Sequence, residues 1–140
     1  MKHILIFLLL IAKPVYAGEW YFGEWKVTGF KFAPVSAMDE RTARAWTGAV
    51  ASYSESSVNF MNEVCNKPVY KIVNMKEGDF YSDYRLTFKM LGIKDAGVTI
   101  IEVGCPSAWV AAGATLIRVN NNVAYTLWDG VFFKLEKSRK

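Results

Sequence analysis

The side chains that most often perform chemistry in proteins are sparse in this chain of 140 residues. His3 is the only histidine, and it lies in an amino-terminal segment that we expect to be removed. Without it, the chain lacks Ser-His-Asp and Cys-His pairs and His-ligated metal sites. The carboxylates are scattered, with no spacing typical of a catalytic pair. We therefore predict that the protein is not an enzyme and has no catalytic residue, metal site or cofactor.

The two cysteines, Cys65 and Cys105, indicate a structural cross-link. Their spacing differs from the C-x-x-C pattern of redox-active pairs. In an oxidising compartment an isolated pair predicts one disulfide. Such a bridge would close a loop of about 40 residues and would stabilise the fold by roughly 3–4 kcal/mol.

Aromatic and charged residues that could bind a partner are concentrated in the connection from Glu77 to Arg85. Tyr and Arg are over-represented at interface hot spots, which favours a binding loop. The alternative is that Phe80 and Tyr84 plug a barrel end while Asp83 and Arg85 are solvated. For the binding interpretation, the candidate partner-binding residues are Asp79, Tyr81, Asp83, Tyr84 and Arg85.

Two further features, one acidic turn and one set of tryptophans, each have a functional and a structural interpretation. Asp129 could present an acid at a hairpin tip, but Asp129-Gly130 is also a preferred pair for a tight turn. A set of tryptophans could either line a ligand cavity or form the core, and these are Trp20, Trp25, Trp46 and Trp109.

The amino terminus has the three parts of a secretory signal. Lys2 supplies the basic start, the run Ile4–Ala12 is apolar, and Val15 and Ala17 form the exit that a signal peptidase reads. The apolar run is shorter than the roughly 20 residues that a membrane-spanning helix needs. We predict a signal peptide over residues 1–17, cleaved after Ala17, a periplasmic location and no stable membrane anchor.

The remaining chain, residues 18–140, predicts a single domain. It has 15 basic and 13 acidic residues, a net charge of +2. Without a clustered basic face, nucleic-acid binding is not expected. Most of the excess lies near the carboxyl terminus, at Lys134, Lys137, Arg139 and Lys140.

Short alternating segments joined by tight turns predict strands over most of the domain. The first strand is expected over Trp20–Phe32 and the main helix over Ser36–Trp46, with Ser36 as its cap. About seven or eight strands with short connections predict antiparallel pairing. Closure of such a sheet removes exposed edges, so we predict an all-β fold, a small antiparallel barrel with one short helix.

The motif Gly23-Glu24-Trp25 on the first predicted strand resembles the G-x-W of lipocalins and their calycin relatives. The resemblance implies a lipocalin-like, up-and-down barrel in which Trp25 closes the bottom. It also implies a basic residue near the last strand that packs over Trp25, and Lys134 and Arg139 are the candidates.

A broader pattern is similar to small secreted proteins of Proteobacteria. It comprises the G-x-W, a Cys before Pro-x-Tyr, the sequence V-T-x-x-x-V-x-C and a closing W-D-G-V-F-F. In this chain it falls on Trp25, Cys65 to Tyr70, Val98–Cys105 and Trp128–Phe133. The resemblance implies a disulfide-linked β domain and brings no established activity. In size, signal and cysteine use the chain is also similar to periplasmic inhibitors and type VI secretion immunity proteins.

These features predict a binding protein, with two candidate functions. The first is a periplasmic inhibitor or immunity protein whose partner is a secreted or periplasmic enzyme, such as a peptidoglycan-acting toxin. Enzymes that approach an anionic wall are commonly cationic, and Glu77, Asp79 and Asp83 would complement them. The alternative is a lipocalin-like carrier of a small apolar ligand within the barrel, although the many aromatic residues favour a filled interior.

Overall fold

The computed structural model describes residues 18–109 and 111–139, which form a β-rich domain. Its antiparallel strands make one curled sheet, a half barrel, to which short helices are added. This architecture confirms the predicted all-β, barrel-like class. The predicted signal peptide, residues 1–17, lies outside the described residues. None of the described helices is long and apolar enough to cross a membrane.

The described residues form more elements than the sequence predicts, with nine strands instead of about seven or eight and three helices instead of one. The strands are β1 (Gly23–Phe32), β2 (Val50–Tyr53), β3 (Ser57–Phe60), β4 (Glu63–Asn66), β5 (Val69–Lys76), β6 (Gly97–Gly104), β7 (Thr115–Arg118), β8 (Val123–Trp128) and β9 (Val131–Lys137). The helices are α1 (Glu40–Ala45), α2 (Glu77–Tyr84) and α3 (Phe88–Leu91).

The sheet follows the chain almost without interruption, in the order β4-β3-β2-β1-β9-β8-β7-β6-β5. Strands that are consecutive in sequence pair antiparallel, as predicted, and this holds for both the short and the long connections; β9 pairs back onto β1. The exception within the described sheet is the pair β4 and β5, which form its two edges. The barrel is therefore up-and-down in connectivity and open along one line, which we call the seam.

The joint between β4 and β5 explains the higher strand count. Three antiparallel pairings separate β4 from β1 and five separate β5 from β1, so both strands run in the same direction. Only Lys67 and Pro68 lie between them. Lys67 is left-handed (φ 57°), and Pro68 has no N–H to contribute to a ladder. One extended segment therefore pairs first with β3 and then, after the kink, with β6.

Covalent and polar contacts cross the seam. Cys65 on β4 forms a disulfide with Cys105, which follows β6, at a Cα–Cα distance of 5.8 Å. The Tyr70 hydroxyl on β5 donates to the carbonyl of Ser54, after β2, at 2.6 Å. The predicted disulfide is confirmed, and such a bridge is typical of proteins from oxidising compartments.

Both faces of the sheet are used for packing. The inner face holds large side chains that are almost fully buried, so the half barrel is filled by its own core; they include Trp25, Tyr53, Phe60, Phe133 and Leu135. Helices α2 and α3 cover the outer face of β6–β9, where the buried set includes Phe80, Leu86, Phe88, Ile100, Ile117 and Phe132. Burial on both faces explains why the strand pattern lacks a clean polar face.

Helix α1 begins later than the sequence predicts. Its cap is Asp39, whose carboxylate accepts the Thr42 N–H at 2.7 Å, and this hydrogen bond lowers the pKa of Asp39. The prediction that Ser36 caps the helix is wrong. The Ala37 N–H donates to the carbonyl of Asp129 at 2.9 Å, so this segment is bound to the β8–β9 turn before the helix begins.

We expect the disulfide to contribute most of its stability through the unfolded state. Replacing Cys65 and Cys105 together by Ala should lower the free energy of unfolding by about 3–4 kcal/mol, since a closed loop of about 40 residues is released. Urea denaturation measures this loss. In reductant, the free energy of unfolding of wild type should fall towards that of the variant, whereas the stability of the variant should not change. Equal stability of wild type with and without reductant would contradict the prediction.

Tyrosine hydroxyls that are fully or partly buried should make the fold sensitive to alkali. Burial raises the pKa of Tyr70 to about 12 and raises that of Tyr53 as well. An unfolded tyrosine titrates near pH 10, so above about pH 10 the unfolded chain loses protons first and stability falls. Tyr70→Phe should lower the free energy of unfolding by about 1 kcal/mol at pH 8. Above about pH 10 the stability of the variant should fall less steeply than that of wild type. Parallel stability profiles for wild type and variant, from urea titrations at each pH, would show that Tyr70 does not contribute.

Candidate functional site

The segment predicted as a binding loop is helical. Residues Glu77–Tyr84 form α2, which ends where Arg85 adopts a left-handed conformation (φ 60°) and donates its N–H to the carbonyl of Tyr81 at 2.9 Å. The Glu77 carboxylate accepts the Phe88 N–H at 3.2 Å, which joins α2 to α3. The helix is therefore held at both ends, and the prediction that this connection is a loop is wrong.

Two aromatic residues of α2 face the protein. Phe80 is fully buried, and Tyr84, one turn later, packs on it with ring centroids 4.7 Å apart. Phe80 also contacts Phe88 of α3 at 5.4 Å. Burial raises the pKa of Tyr84, with smaller contributions from Glu102 and Asp83. These rings anchor α2 to the outer face of the sheet; they do not plug an end of the barrel.

The other candidate residues of α2 are exposed but do not form one cluster. A helix turns by about 100° per residue, so positions four apart share a flank. Asp79 and Asp83 lie on one flank of α2 and Tyr81 lies on the other, while Arg85 is the left-handed residue that ends the helix. The Tyr81 side chain is 48% exposed. Of the five predicted residues, the structure presents four to solvent and turns Tyr84 inward, and Asp79 and Asp83 are the pair that shares a flank of the helix.

Trp25 lies at one end of the barrel, the base, where it packs edge-on against Trp20. The Lys137 Nζ lies 5.3 Å from the centroid of the Trp25 ring, and desolvation lowers the pKa of Lys137. The basic residue over Trp25 is thus Lys137 rather than Lys134 or Arg139. Lys134 pairs with Gly29 and has the opposite parity on β9, so it projects to the outer face.

The tryptophans considered as a cavity lining belong mainly to the core. Trp25 is fully buried, and Trp46 stacks on Phe133 with ring centroids 4.5 Å apart. Trp20 lies at the base, where the guanidinium of Arg118 is 5.3 Å from its ring centroid. Trp109 packs against the inner core. These contacts support the structural interpretation for Trp20, Trp25 and Trp109, whereas Trp46 both packs on the core and lines a cleft at the opposite end of the barrel.

The end of the barrel opposite the base, which we call the mouth, is partly closed by the connection between β6 and β7. The Tyr53 hydroxyl donates to the carbonyl of Gly113 at 2.7 Å, and the Gly113 N–H donates to Thr126 Oγ1 at 3.0 Å. Gly113 is left-handed (φ 90°), and an added Cβ would lie 2.9 Å from the Tyr53 hydroxyl. Two buried hydrogen bonds and a glycine therefore fix this connection.

A cleft of about 240 Å³ remains at the mouth, and we call it the mouth cleft. Its walls come from α1's end, the β3–β4 turn, the β6–β7 connection and the end of β8. Aromatic and small apolar side chains dominate the lining, together with one carboxylate among the described lining residues; they are Trp46, Phe60, Met61, Glu63, Ala111, Ala112 and Trp128.

The β3–β4 turn at the cleft has an unusual residue. Phe60 and Glu63 pair across the turn, which leaves Met61 and Asn62 as its two central residues, both left-handed (φ 48° and 70°). Asn and Gly are the usual residues in such turns, and a left-handed Met costs about 1–2 kcal/mol. Met61 is nevertheless 42% exposed. Sequence reasoning missed this turn, although an Asn between two short alternating segments was a usable signal.

The β8–β9 turn behaves as the structural interpretation predicts. Asp129 and Gly130 are both left-handed (φ 50° and 77°), as a two-residue hairpin turn requires. A Cβ on Gly130 would lie 2.3 Å from the carbonyl oxygen of Val35. Asp129-Gly130 is therefore a packed turn.

No protein-family model, curated protein or solved structure matches the chain. Within residues 18–109 and 111–139, no group of three or more His, Cys, Asp and Glu side chains is placed to share a metal ion. The exposed flanks of α2 carry predicted binding residues, and the mouth cleft has a mostly aromatic and apolar lining.

Gly113 should tolerate substitution poorly. Gly113→Ala forces a side chain into a left-handed position against Tyr53 and should lower the free energy of unfolding by more than about 1 kcal/mol. Gly78 of α2 is the matched control, since an added Cβ there meets nothing within 4 Å. Gly78→Ala should stabilise by about 0.5–1 kcal/mol. Thermal and urea denaturation measure the stability of the two variants. Equal changes in stability would show that Gly113 is not held in a tightly packed, left-handed position.

Proposed function

We propose that this protein is secreted into the periplasm, with residues 1–17 as its signal peptide, and that it binds and inhibits a cell-envelope-targeting enzyme such as a peptidoglycan-acting toxin. The observation that carries the proposal is the filled interior. Trp25, Phe60 and Phe133 occupy the inner face at 1% exposure or less. Recognition is then a property of the surface, which suits a partner of protein size.

The filled interior disfavours the carrier alternative. Ligand pockets for drug-sized molecules usually measure about 300–1,000 Å³. The mouth cleft measures about 240 Å³ and lies at the end of the barrel, above the core. An apolar carrier would need a larger enclosed volume, and the packed side chains of the inner face take that place.

The exposed flanks of α2 are the surface that we assign to the partner. Asp79 and Asp83 give one flank negative charge that would attract a cationic enzyme. Tyr81 on the other flank and Arg85 at the end of α2 are residue types that dominate interface hot spots. Because Phe80 and Tyr84 anchor the helix from beneath, the exposed residues stand on a firmly packed element.

The test is capture of a partner from periplasmic extract on the immobilised protein, followed by titration of two variants. Tyr81→Ala with Arg85→Ala should weaken the affinity at least about 30-fold, as loss of a hot spot does. Asp79→Asn with Asp83→Asn should mainly lower the association rate, and more so at low salt.

The matched control is Glu55→Gln with Asp95→Asn, which removes two exposed charges elsewhere and should bind like wild type. Inhibition is then measured as loss of the partner's own activity on addition of the protein. Binding by both α2 variants at wild-type strength would exclude α2 as the interface. A copurifying apolar molecule in place of a protein would favour the carrier.

A further inference from the structure

We propose that the mouth cleft is a second binding site, which accepts one apolar side chain of a partner polypeptide where that side chain is flanked by lysine or arginine. The site shares no residue with α2, since it is built from the ends of β3, β4 and β8 and the β6–β7 connection. It goes beyond the inhibitor proposal, because it does not require that the partner be an enzyme.

The size of the cleft selects a single side chain. Its walls are the rings of Trp46, Phe60 and Trp128, and Ala111 and Ala112 complete the lining. Both alanines are nearly buried, at 6% and 4% exposure, so their small side chains leave the space open instead of filling it. A volume of about 240 Å³ accommodates one ring or branched chain, and the aromatic walls would pack against it.

The charge of the cleft selects a cationic neighbour. Glu63 pairs in register with Phe60 on β3, so its side chain lies on the same face of the sheet as that ring. Among the described residues, Glu63 has no ion-pair partner. An exposed carboxylate at the rim of an apolar cleft attracts a positive charge next to the inserted group and repels a negative one.

Met61 points to a function for the rim. Its position in the turn would be filled at lower cost by Asn or Gly, yet the chain has an exposed apolar residue there. Strained backbone of this kind is concentrated at binding sites. Methionine is flexible and polarisable, and it adapts to varied apolar partners. We therefore assign Met61 as the adaptable edge of the site.

The test uses three short peptides against the intact, disulfide-bonded protein: acetyl-Lys-Phe-Lys-amide, acetyl-Glu-Phe-Glu-amide and acetyl-Lys-Gly-Lys-amide. Binding is followed by the NMR signals of the indole N–H groups of Trp46 and Trp128. The first peptide should shift both signals with saturation. The second, with reversed charge, and the third, without a ring, should each bind at least about fivefold more weakly.

Two variants separate the cleft from non-specific attraction. Glu63→Gln should weaken the first peptide about fivefold and reduce its advantage over the acidic peptide. Glu55→Gln, at the β2–β3 turn on the other end of β3, is the control and should change nothing. Met61→Asn should weaken binding about tenfold while the melting temperature stays equal or rises, which excludes unfolding as the cause.

The proposal is wrong if the lysine-flanked phenylalanine peptide produces no saturable shift, or if its shifts fall on Trp20 at the base. It is also wrong if Glu63→Gln and Glu55→Gln behave alike. Failure of the cleft proposal does not affect the α2 proposal, because the two surfaces share no residue and are tested with different variants.

Discussion

A sheet of nine strands in cyclic order cannot close with every neighbouring pair antiparallel, because an odd number of alternating strands leaves one pair parallel. Here that pair is β4 and β5, at the two edges of the described sheet. The chain meets this constraint with Lys67 and Pro68, which turn one extended segment from the edge at β3 to the edge at β6. The disulfide and the Tyr70 hydroxyl then hold the edges together across the seam.

Curling around the seam decides where the large side chains lie. The inner face has room for Trp25, Phe60 and Phe133 but not for a ligand as well, and the outer face of β6–β9 is covered by α2 and α3. The exposed flanks of α2 and the rim of the mouth are among the surfaces that remain open to another molecule. Polar–apolar alternation along the sequence is blurred for the same reason, since the central strands are buried on both sides.

The features that depend on local sequence could be predicted, and those that depend on distant contacts could not. The cysteine pair and the Asp129-Gly130 turn carry their own chemistry, and both predictions are confirmed. The sequence did not predict that Lys137, and not Lys134, packs over Trp25. Which lysine of β9 faces inward depends on the register of β9 with β1, and that register is a long-range contact.

The predictions for the start of α1 and for the conformation of α2 were wrong for related reasons. Ser36 is drawn away from a capping role because its neighbour Ala37 bonds the β8–β9 turn. Helix α2 has weak local preference but gains stability from burying Phe80 on a sheet face that sequence periodicity does not reveal. The cross-link that closes the seam also positions the mouth, since Cys65 follows Glu63 by two residues and Cys105 begins the connection that leads to Ala111. The disulfide therefore joins the strand that carries Glu63 to the start of the β6–β7 connection, so the bond that crosses the seam also links two of the elements that line the mouth cleft.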